Sequence, residues 1–155
     1  MPANSLIIID MEHAFLRAFN PHRRQRLIDK VSREFERAVQ RGDNIILLYS
    51  TQWQTISEIA DKGGDYQCLH KRRKSDQSGA KDVFAVTQEQ SLPVESFRLC
   101  GVHSDLCVLN TAVNLTVLFP SAKVEVIKDA CDTHNDAKYK WSDYDFGQAR
   151  RVHLI

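Results

Sequence analysis

The sequence of 155 residues contains little glycine and little proline, six and four residues respectively, which excludes collagen-like and low-complexity chains. Basic and acidic residues almost balance, 21 against 20, so the net charge of +1 does not indicate a nucleic-acid-binding surface. No apolar run reaches the ~18 residues that a membrane-spanning helix needs. The first residues lack the basic segment of a secretory signal peptide. We therefore expect a cytoplasmic protein with no nucleic-acid partner and no membrane partner.

The composition is that of an ordinary globular domain, with 43% hydrophobic and 26% charged residues. A chain of this length can bury a full core, and we expect one domain over residues 1–155. The four cysteines include no Cys-x-x-Cys pair, which excludes zinc ribbons and thioredoxin-type motifs. Disulfides are not needed by such a domain, and a reducing compartment would not retain them.

Strand and helix patterns alternate along the chain. The continuous β-branched run at residues 6–9 is typical of a strand that is buried on both faces, and the apolar stretch within residues 44–50 predicts a second buried strand. Further strands are predicted at 67–70, 97–101, 124–127 and 151–155, and helices at 21–41, 55–62, 80–90 and 104–118. This order predicts an α/β fold with three α-β-α layers, in which helices flank a Rossmann-like parallel sheet of five to six strands.

Three reactive side chains follow predicted strands, where parallel sheets bind their ligands. Asp10 follows the first strand, Lys71 follows the strand at 67–70, and Cys107 lies near the start of a predicted helix. A helix N-terminus and a nearby lysine both favour a thiolate, and an aspartate can accept the thiol proton. The turn at 101–107 can direct backbone N–H groups toward an oxyanion.

Each of these residues also has a common structural interpretation. An aspartate after a strand is often a turn residue, and a basic run such as HKRRK is usually a solvated face. Most free cysteines are small buried hydrophobic residues, which is the role we assign to Cys68, Cys100 and Cys131. The combination of Asp10, Lys71 and Cys107 at one edge of the sheet is more specific than any one of the three.

Three segments of the sequence resemble the isochorismatase-like cysteine hydrolases, which include nicotinamidases, N-carbamoylsarcosine amidohydrolases and ureidoacrylate hydrolases. The first is LIIIDMEHAF, which contains Asp10 and Phe15, and the second is KRRKSDQSG, which begins at Lys71. The third, GVHSDLCVLNTA, matches the family pattern of Gly, an aliphatic residue, any residue, Thr or Ser, Asp, any residue, Cys and Val, followed by Thr-Ala. The segment VIKDAC resembles the strand that follows in the family.

The resemblance implies a six-stranded sheet and a set of catalytic residues. Cys107 would be the nucleophile, Asp10 the general base, and Lys71 the cation that orients or activates the thiol. The peptide bond between Val102 and His103 would be cis, and the backbone N–H groups of His103 and Cys107 would form the oxyanion hole. The implied reaction is hydrolysis of a C–N bond in a small amide, ureide or carbamoyl compound through a Cys107 thioester.

The sequence departs from the nicotinamidases after the second strand, where those enzymes carry an Asp-x-His and further histidines that bind a metal. The corresponding segment, YSTQWQTISE, has no histidine and no aspartate, so we expect neither a metal nor another cofactor. Candidate residues of the substrate pocket are Phe15, Tyr49 and Trp53. The family's habit of association implies a homo-oligomer, either a dimer or a tetramer.

Two other functions stay open at this point. The chain is shorter than is usual in the family and its pocket residues differ, which favours a catalytically weak or inactive isochorismatase-like protein that binds a small molecule or has a regulatory role. A nucleotide- or RNA-binding domain that uses HKRRK is a weaker alternative, because the sequence contains neither GxGxxG nor a P-loop.

Overall fold

Six parallel strands form a single sheet in the computed structural model, which describes residues 2–134 and 151–155. The order across the sheet is β3-β2-β1-β4-β5-β6. The strands are β1 (Asn4–Ile9), β2 (Asn44–Tyr49), β3 (Leu69–Arg73), β4 (Ser96–Val102), β5 (Lys123–Asp132) and β6 (Val152–Leu154). The predicted α/β class and parallel sheet are confirmed.

The helices connect successive strands. They are α1 (His13–Leu16), α2 (Pro21–Arg41), α3 (Ser57–Ala60), α4 (Ala80–Glu89) and α5 (Leu109–Leu118). A 3₁₀ turn, Asp61–Gly63, follows α3, and a π-helical segment, Ser104–Val108, precedes α5. No helix among the described residues is both long enough and apolar enough to cross a bilayer.

The alternation of side chains along β1 explains the three layers. Leu6 and Ile8 pack in the core cluster that contains the buried face of α2, whereas Ile7 and Ile9 pack in the cluster formed with α4 and α5. All four side chains are essentially inaccessible to solvent. Because successive side chains of a strand point to opposite faces, a strand between two helical layers needs the unbroken apolar run seen in the sequence.

Local signals set the bounds of α2. The side chain of Asn20 accepts a hydrogen bond from the Arg23 N–H at 2.9 Å, and Pro21 occupies the first helical position. Gly42 ends the helix in the left-handed conformation, with φ of 74°. The prediction for this helix is therefore confirmed at both ends.

Elsewhere the element boundaries differ from the sequence-based expectation. The third strand is not 67–70 but Leu69–Arg73, because it pairs in register with β2 from Ile45 to Tyr49. Helix α1 lies in a segment for which the sequence predicts no helix, and β5 continues five residues beyond its predicted end at residue 127, to Asp132. The predicted final strand is present as β6, which pairs with β5.

The strand order shows where a ligand-binding crevice lies in this sheet. Strands β1 and β4 are neighbours at the centre of the sheet, and the chain leaves them toward opposite edges. In sheets of this kind a crevice opens beyond the carboxyl ends of the two strands where the order reverses. Asp10 follows β1, and Cys107 lies five residues beyond β4.

Candidate functional site

Asp10 directly follows β1 and is almost completely buried, with 1% of its surface exposed. Its backbone has φ of 52°, a conformation that favours glycine, and its N–H donates a hydrogen bond to the Leu48 carbonyl oxygen at 3.0 Å. One carboxylate oxygen accepts from the Ser50 hydroxyl at 2.8 Å, and the other accepts from the Lys74 ammonium at 2.6 Å. The fold therefore fixes this carboxylate in one orientation.

The cation beside Asp10 is Lys74 and not Lys71, which corrects the sequence-based prediction. Lys74 follows β3, and its N–H donates to the Tyr49 carbonyl oxygen at 2.7 Å. Its side chain is 2% exposed and also donates to the Gln77 carbonyl oxygen at 3.3 Å. Lys71 lies within β3 and is exposed. Because β3 extends to Arg73, its carboxyl end is three residues later than the sequence suggested.

Cys107 is half-buried in the π-helical segment, and its thiol is within hydrogen-bonding reach of both Asp10 and Lys74. Burial and then the Asp10 carboxylate raise the pKa of Cys107, while Lys74 acts in the opposite direction. The pKa is raised overall, so the resting group is a thiol. The expectation of a stabilised resting thiolate is therefore not met, because burial outweighs the ammonium.

The ammonium of Lys74 stays protonated in this site. Burial by itself lowers the pKa of Lys74, but Asp10 and Cys107 raise it, and the overall direction is upward. The three groups thus form a compact set of a carboxylate, an ammonium and a neutral thiol. A proton acceptor next to a thiol, with a fixed positive charge beside both, is an arrangement suited to nucleophilic catalysis.

Glu12 supports the site, and the sequence analysis did not single it out. It is fully buried, and its carboxylate accepts from the N–H groups of Ser50 and Thr51, at 2.8 and 2.9 Å, and from the Thr51 hydroxyl at 2.6 Å. These bonds hold the loop after β2 in place, so that Ser50 can reach Asp10. The signal in the sequence was a second acidic residue within three positions of the end of a buried strand.

Thr111 connects the segment that carries Cys107 to the loop after Lys74. Its hydroxyl donates to the Cys107 carbonyl oxygen at 2.6 Å and accepts from the Gly79 N–H at 3.0 Å. The loop is also held by Asp82, whose carboxylate accepts from the N–H and hydroxyl of Ser75 at 3.0 and 3.2 Å. Thr111 matched the family pattern, but its bridging role depends on contacts that the sequence does not show.

The peptide bond between Val102 and His103 is cis, as the resemblance implied. The His103 ring is buried beside Phe19, with a centroid distance of 6.1 Å, and its Nδ1 lies 3.2 Å from Nδ1 of His134. Burial, followed by the neighbouring His134, lowers the pKa of His103, so its ring is neutral at neutral pH. The assignment of the His103 and Cys107 N–H groups to an oxyanion hole stays a prediction.

The three candidate pocket residues lie in two places. Tyr49 and Trp53 line a cavity of about 970 Å³ beside the carboxyl end of β2, and Lys71 lines it as well. Phe15 instead packs edge-on against His103, at 5.9 Å between ring centroids. Within residues 2–134 and 151–155, no group of three or more His, Cys, Asp or Glu side chains is arranged to hold a metal ion.

Comparison with known proteins finds similarity in structure alone. No protein-family model matches the sequence, and no curated protein matches it. Among solved structures, a nicotinamidase from Staphylococcus aureus is 16% identical, with a TM-score of 0.78 and 100% of both chains covered. A pyrazinamidase/nicotinamidase from Streptococcus mutans is 19% identical, with a TM-score of 0.79, covering 98% of this chain and 99% of the other.

An N-carbamoylsarcosine amidase from Thermoplasma acidophilum is 17% identical, with a TM-score of 0.74, covering 99% of this chain and 95% of the other. A structure described as an isochorismatase family protein is 15% identical, with a TM-score of 0.75. At these identities the similarity establishes a shared fold. The fold expected from the sequence resemblance, that of the isochorismatase-like proteins, is therefore confirmed.

Proposed function

We propose that this protein is an isochorismatase-like cysteine hydrolase that cleaves a C–N bond in a small amide, ureide or carbamoyl compound. The observation that carries the proposal is the buried pair of Asp10 and Lys74, with the Cys107 thiol in reach of both. The enzymes whose structures are similar include nicotinamidases and an N-carbamoylsarcosine amidase, which supports the same class of reaction.

In the first half of the reaction, Asp10 accepts the thiol proton while the Cys107 sulfur bonds to the carbonyl carbon. The carbonyl oxygen becomes an oxyanion, which the N–H groups of His103 and Cys107 stabilise. The intermediate then collapses, the C–N bond breaks, and the leaving nitrogen takes the proton held by Asp10. An amine or ammonia departs, and the acyl group stays on Cys107 as a thioester.

In the second half, Asp10 accepts a proton from water as the water oxygen attacks the thioester carbon. Collapse of this second intermediate breaks the C–S bond, and the sulfur recovers the proton from Asp10. The products are the acid and the regenerated thiol. Lys74 keeps its proton throughout, and its charge stabilises Asp10 as a carboxylate and the sulfur as it becomes anionic.

The raised pKa of Cys107 is consistent with this order of events. A thiol that is neutral at rest needs a base at the moment of attack, and Asp10 is the carboxylate in contact with it. Ser50 and Lys74 each donate to Asp10, which fixes the direction in which its oxygens point. The base is thereby oriented before any substrate binds.

The experiment that tests the proposal measures release of ammonia from a panel of primary amides, ureides and carbamoyl compounds. We expect Cys107→Ala to reduce the rate by several orders of magnitude, since it removes the nucleophile. The matched control is Cys68→Ser, which changes a free, half-buried cysteine away from Asp10. We expect the control to retain the wild-type rate.

Mass spectrometry of the wild-type protein during turnover should show an acyl adduct on Cys107. Equal activity of Cys107→Ala and the wild type would contradict the proposal. If no compound is hydrolysed and no adduct forms, the alternative of an inactive small-molecule-binding protein is favoured instead.

A further inference from the structure

His103 directly follows β4, and its backbone N–H is one of the two donors of the proposed oxyanion hole. The other side of its backbone is fixed, because the His103 carbonyl oxygen accepts from the N–H groups of Leu106 and Val108, both at 3.1 Å. With the carbonyl group fixed, the direction of the His103 N–H depends on what holds the side chain of the same residue.

The imidazole of His103 is buried and contacts three aromatic rings. Phe15 and Phe19 lie 5.9 and 6.1 Å from it, measured between ring centroids. The ring of His134 is closer, at 4.3 Å, and the two Nδ1 atoms are 3.2 Å apart, which is hydrogen-bonding distance. Aromatic packing tolerates rotation of a ring, whereas a hydrogen bond fixes its orientation. His134 is therefore the neighbour that orients the His103 ring.

The backbone that leads into His134 is held from α2 and from β4. The Arg23 guanidinium donates to both carboxylate oxygens of Asp132, at 2.7 and 2.5 Å, and to the Thr133 carbonyl oxygen at 2.7 Å. A bidentate pair of arginine and carboxylate is geometrically specific. Asp132 also pairs with Val102 at the end of β5. His134 thus extends from an anchored backbone, although its side chain is exposed.

We propose that His134 is a positioning residue, whose hydrogen bond to the imidazole of His103 keeps the backbone N–H of His103 directed at the oxyanion. In this role His134 does not touch the reacting atoms. The oxyanion exists only during the chemical steps, so the hydrogen bond should affect kcat more than substrate binding. The inference rests on the proposed function, and it assigns a role to a residue outside the set of Asp10, Lys74 and Cys107.

The number of protons on the two rings decides whether this hydrogen bond exists. When both rings are neutral, one Nδ1–H can donate to the other Nδ1, and the same bond is possible when one ring is an imidazolium. When both rings are imidazolium ions, both Nδ1 atoms carry hydrogen and neither can accept. The pair therefore loses its hydrogen bond only with the second proton.

Charged groups surround the pair on four neighbouring segments of the fold. They are Asp10 after β1, Asp105 in the π-helical segment, Asp132 of β5 and Arg23 of α2. Burial, followed by His134, lowers the pKa of His103, and the three carboxylates offset this only in part. The second proton should therefore bind at a pH below the ordinary histidine value of about 6.5.

The kinetic test uses the best substrate of the amide panel with variants of His134. We expect His134→Ala to lower kcat by roughly tenfold to 100-fold, at most the effect of losing a whole oxyanion donor, with KM within about twofold. His134→Asn should restore most of the rate, since its Oδ1 can accept the same hydrogen bond. His153→Ala is the matched control, because it changes an exposed histidine in β6, and it should keep the wild-type kcat.

The pH profile of kcat separates positioning from a simple loss of folded protein. In the wild type, kcat should decrease as the pH is lowered below about 6.5 and the pair takes its second proton. In His134→Asn the amide oxygen can accept from the His103 ring whether that ring is neutral or charged. The decrease should therefore move to lower pH in this variant. Identical profiles of the two proteins would overturn the inference.

Alkylation of Cys107 by iodoacetamide is a control that needs no oxyanion hole. The reaction displaces iodide at a saturated carbon, so no oxyanion forms, and the thiol reacts directly. We expect His134→Ala to be alkylated at the wild-type rate although its amide hydrolysis is slower. Equal losses in alkylation and in hydrolysis would overturn the inference, because the change would then have disturbed the site as a whole.

The direction of the His103 N–H can also be measured without any turnover. The residual dipolar coupling of this N–H depends on its orientation, and it should change in His134→Ala and return in His134→Asn. If the coupling behaves in this way but the wild type hydrolyses no amide, the proposed function fails and the placement of the N–H by His134 stands. Normal hydrolysis by the wild type with an unchanged coupling in His134→Ala would overturn the inference and leave the proposed function.

Discussion

At the scale of single residues, the central feature is a buried ion pair. Asp10 and Lys74 have side chains that are 1% and 2% exposed, and their charged atoms are 2.6 Å apart. Such a pair adds little to stability compared with an apolar pair, but removal of one partner leaves a buried charge without compensation. Each residue is therefore structurally dependent on the other, besides any part that it takes in catalysis.

We predict that Lys74→Met destabilises the protein by about 3–5 kcal/mol, because it leaves the Asp10 carboxylate buried and unpaired. The double variant Asp10→Asn/Lys74→Met should recover much of that loss, since it contains no buried charge at this pair. Urea denaturation of the wild type, the two single variants and the double variant measures the coupling free energy between Asp10 and Lys74. Arg73→Met is the control for loss of a neighbouring cation and should unfold at the wild-type midpoint. The pairing would be contradicted if the changes in unfolding free energy of Asp10→Asn and Lys74→Met add up to the change of the double variant.

The reactivity of Cys107 is also a property of one residue and its immediate neighbours. Burial and the Asp10 carboxylate raise the pKa of its thiol, so the thiolate fraction, and with it the rate of alkylation by iodoacetamide, should increase only at pH above the ordinary thiol range. Asp10→Asn should shift this profile to lower pH, and Lys74→Met should shift it to higher pH. Peptide mass spectrometry against pH gives the profile for each cysteine. A Cys107 midpoint below the ordinary thiol range in the wild type would contradict the prediction.

At the scale of elements, the segment that carries Cys107 and the loop that follows Lys74 are joined by one side chain. Thr111 in α5 bridges the Cys107 carbonyl oxygen and the Gly79 N–H, and it is fully buried. The thiol comes from β4 and its following segment, while the ammonium comes from β3. The bridge therefore contributes to the relative placement of two groups that lie on different connections of the fold.

We predict that Thr111→Val lowers stability by about 1–3 kcal/mol, because it leaves the buried Gly79 N–H and the part-buried Cys107 carbonyl oxygen without this partner. It should also lower kcat for amide hydrolysis. Thr116→Val is the matched control, since the Thr116 hydroxyl donates within α5, to the Val113 carbonyl oxygen at 2.6 Å, and has no other hydrogen bond among the described residues. Denaturation and turnover of the two variants provide the comparison. Equal kcat values would show that the bridge does not position the catalytic groups.

At the scale of the whole molecule, β1 and β4 approach very closely at the point where the crevice opens. Gly101 has φ of 120°, and a Cβ atom at this position would lie 2.1 Å from the Ile9 carbonyl oxygen. Ile9 immediately precedes Asp10, and Gly101 precedes the Val102–His103 peptide bond. The absence of a side chain at Gly101 is thus a requirement of the sheet at its centre.

We predict that Gly101→Ala destabilises the protein much more than Gly42→Ala does. Gly42 also has a positive φ, but no atom of the described residues lies within 4 Å of its Cβ position, so alanine there should cost only about 1–2 kcal/mol of conformational energy. At Gly101 the contact with the Ile9 backbone adds to that cost, because a central strand has no room to move. Thermal denaturation of the two variants separates the conformational cost of a positive φ from the cost of the contact with the Ile9 backbone. Equal losses would show that the sheet can accommodate the additional atom.

The sequence alone was sufficient for most of the architecture and for two of the three proposed catalytic residues. The unbroken apolar runs of β1 and β2 indicate strands that are buried on both faces, and Asn20 and Gly42 mark the ends of α2. Asp10 directly follows one of these clear strands. Cys107 lies in the segment GVHSDLCVLNTA, in which both the residue types and their spacing match the family pattern. Local patterns determine such features because a strand end or a helix cap depends on few residues.

Only the tertiary structure identified Lys74. The segment LHKRRK offers Lys71 and Lys74 with no apolar pattern to mark where the strand stops. The carboxyl end of β3 is set by its pairing with β2. Arg73 pairs with Tyr49, which leaves Lys74 just beyond the end of the strand. The upward shift of the Cys107 pKa also depends on the tertiary structure, because burial is its largest cause. Strand register and burial both arise from contacts between segments distant in sequence, and no local pattern records them.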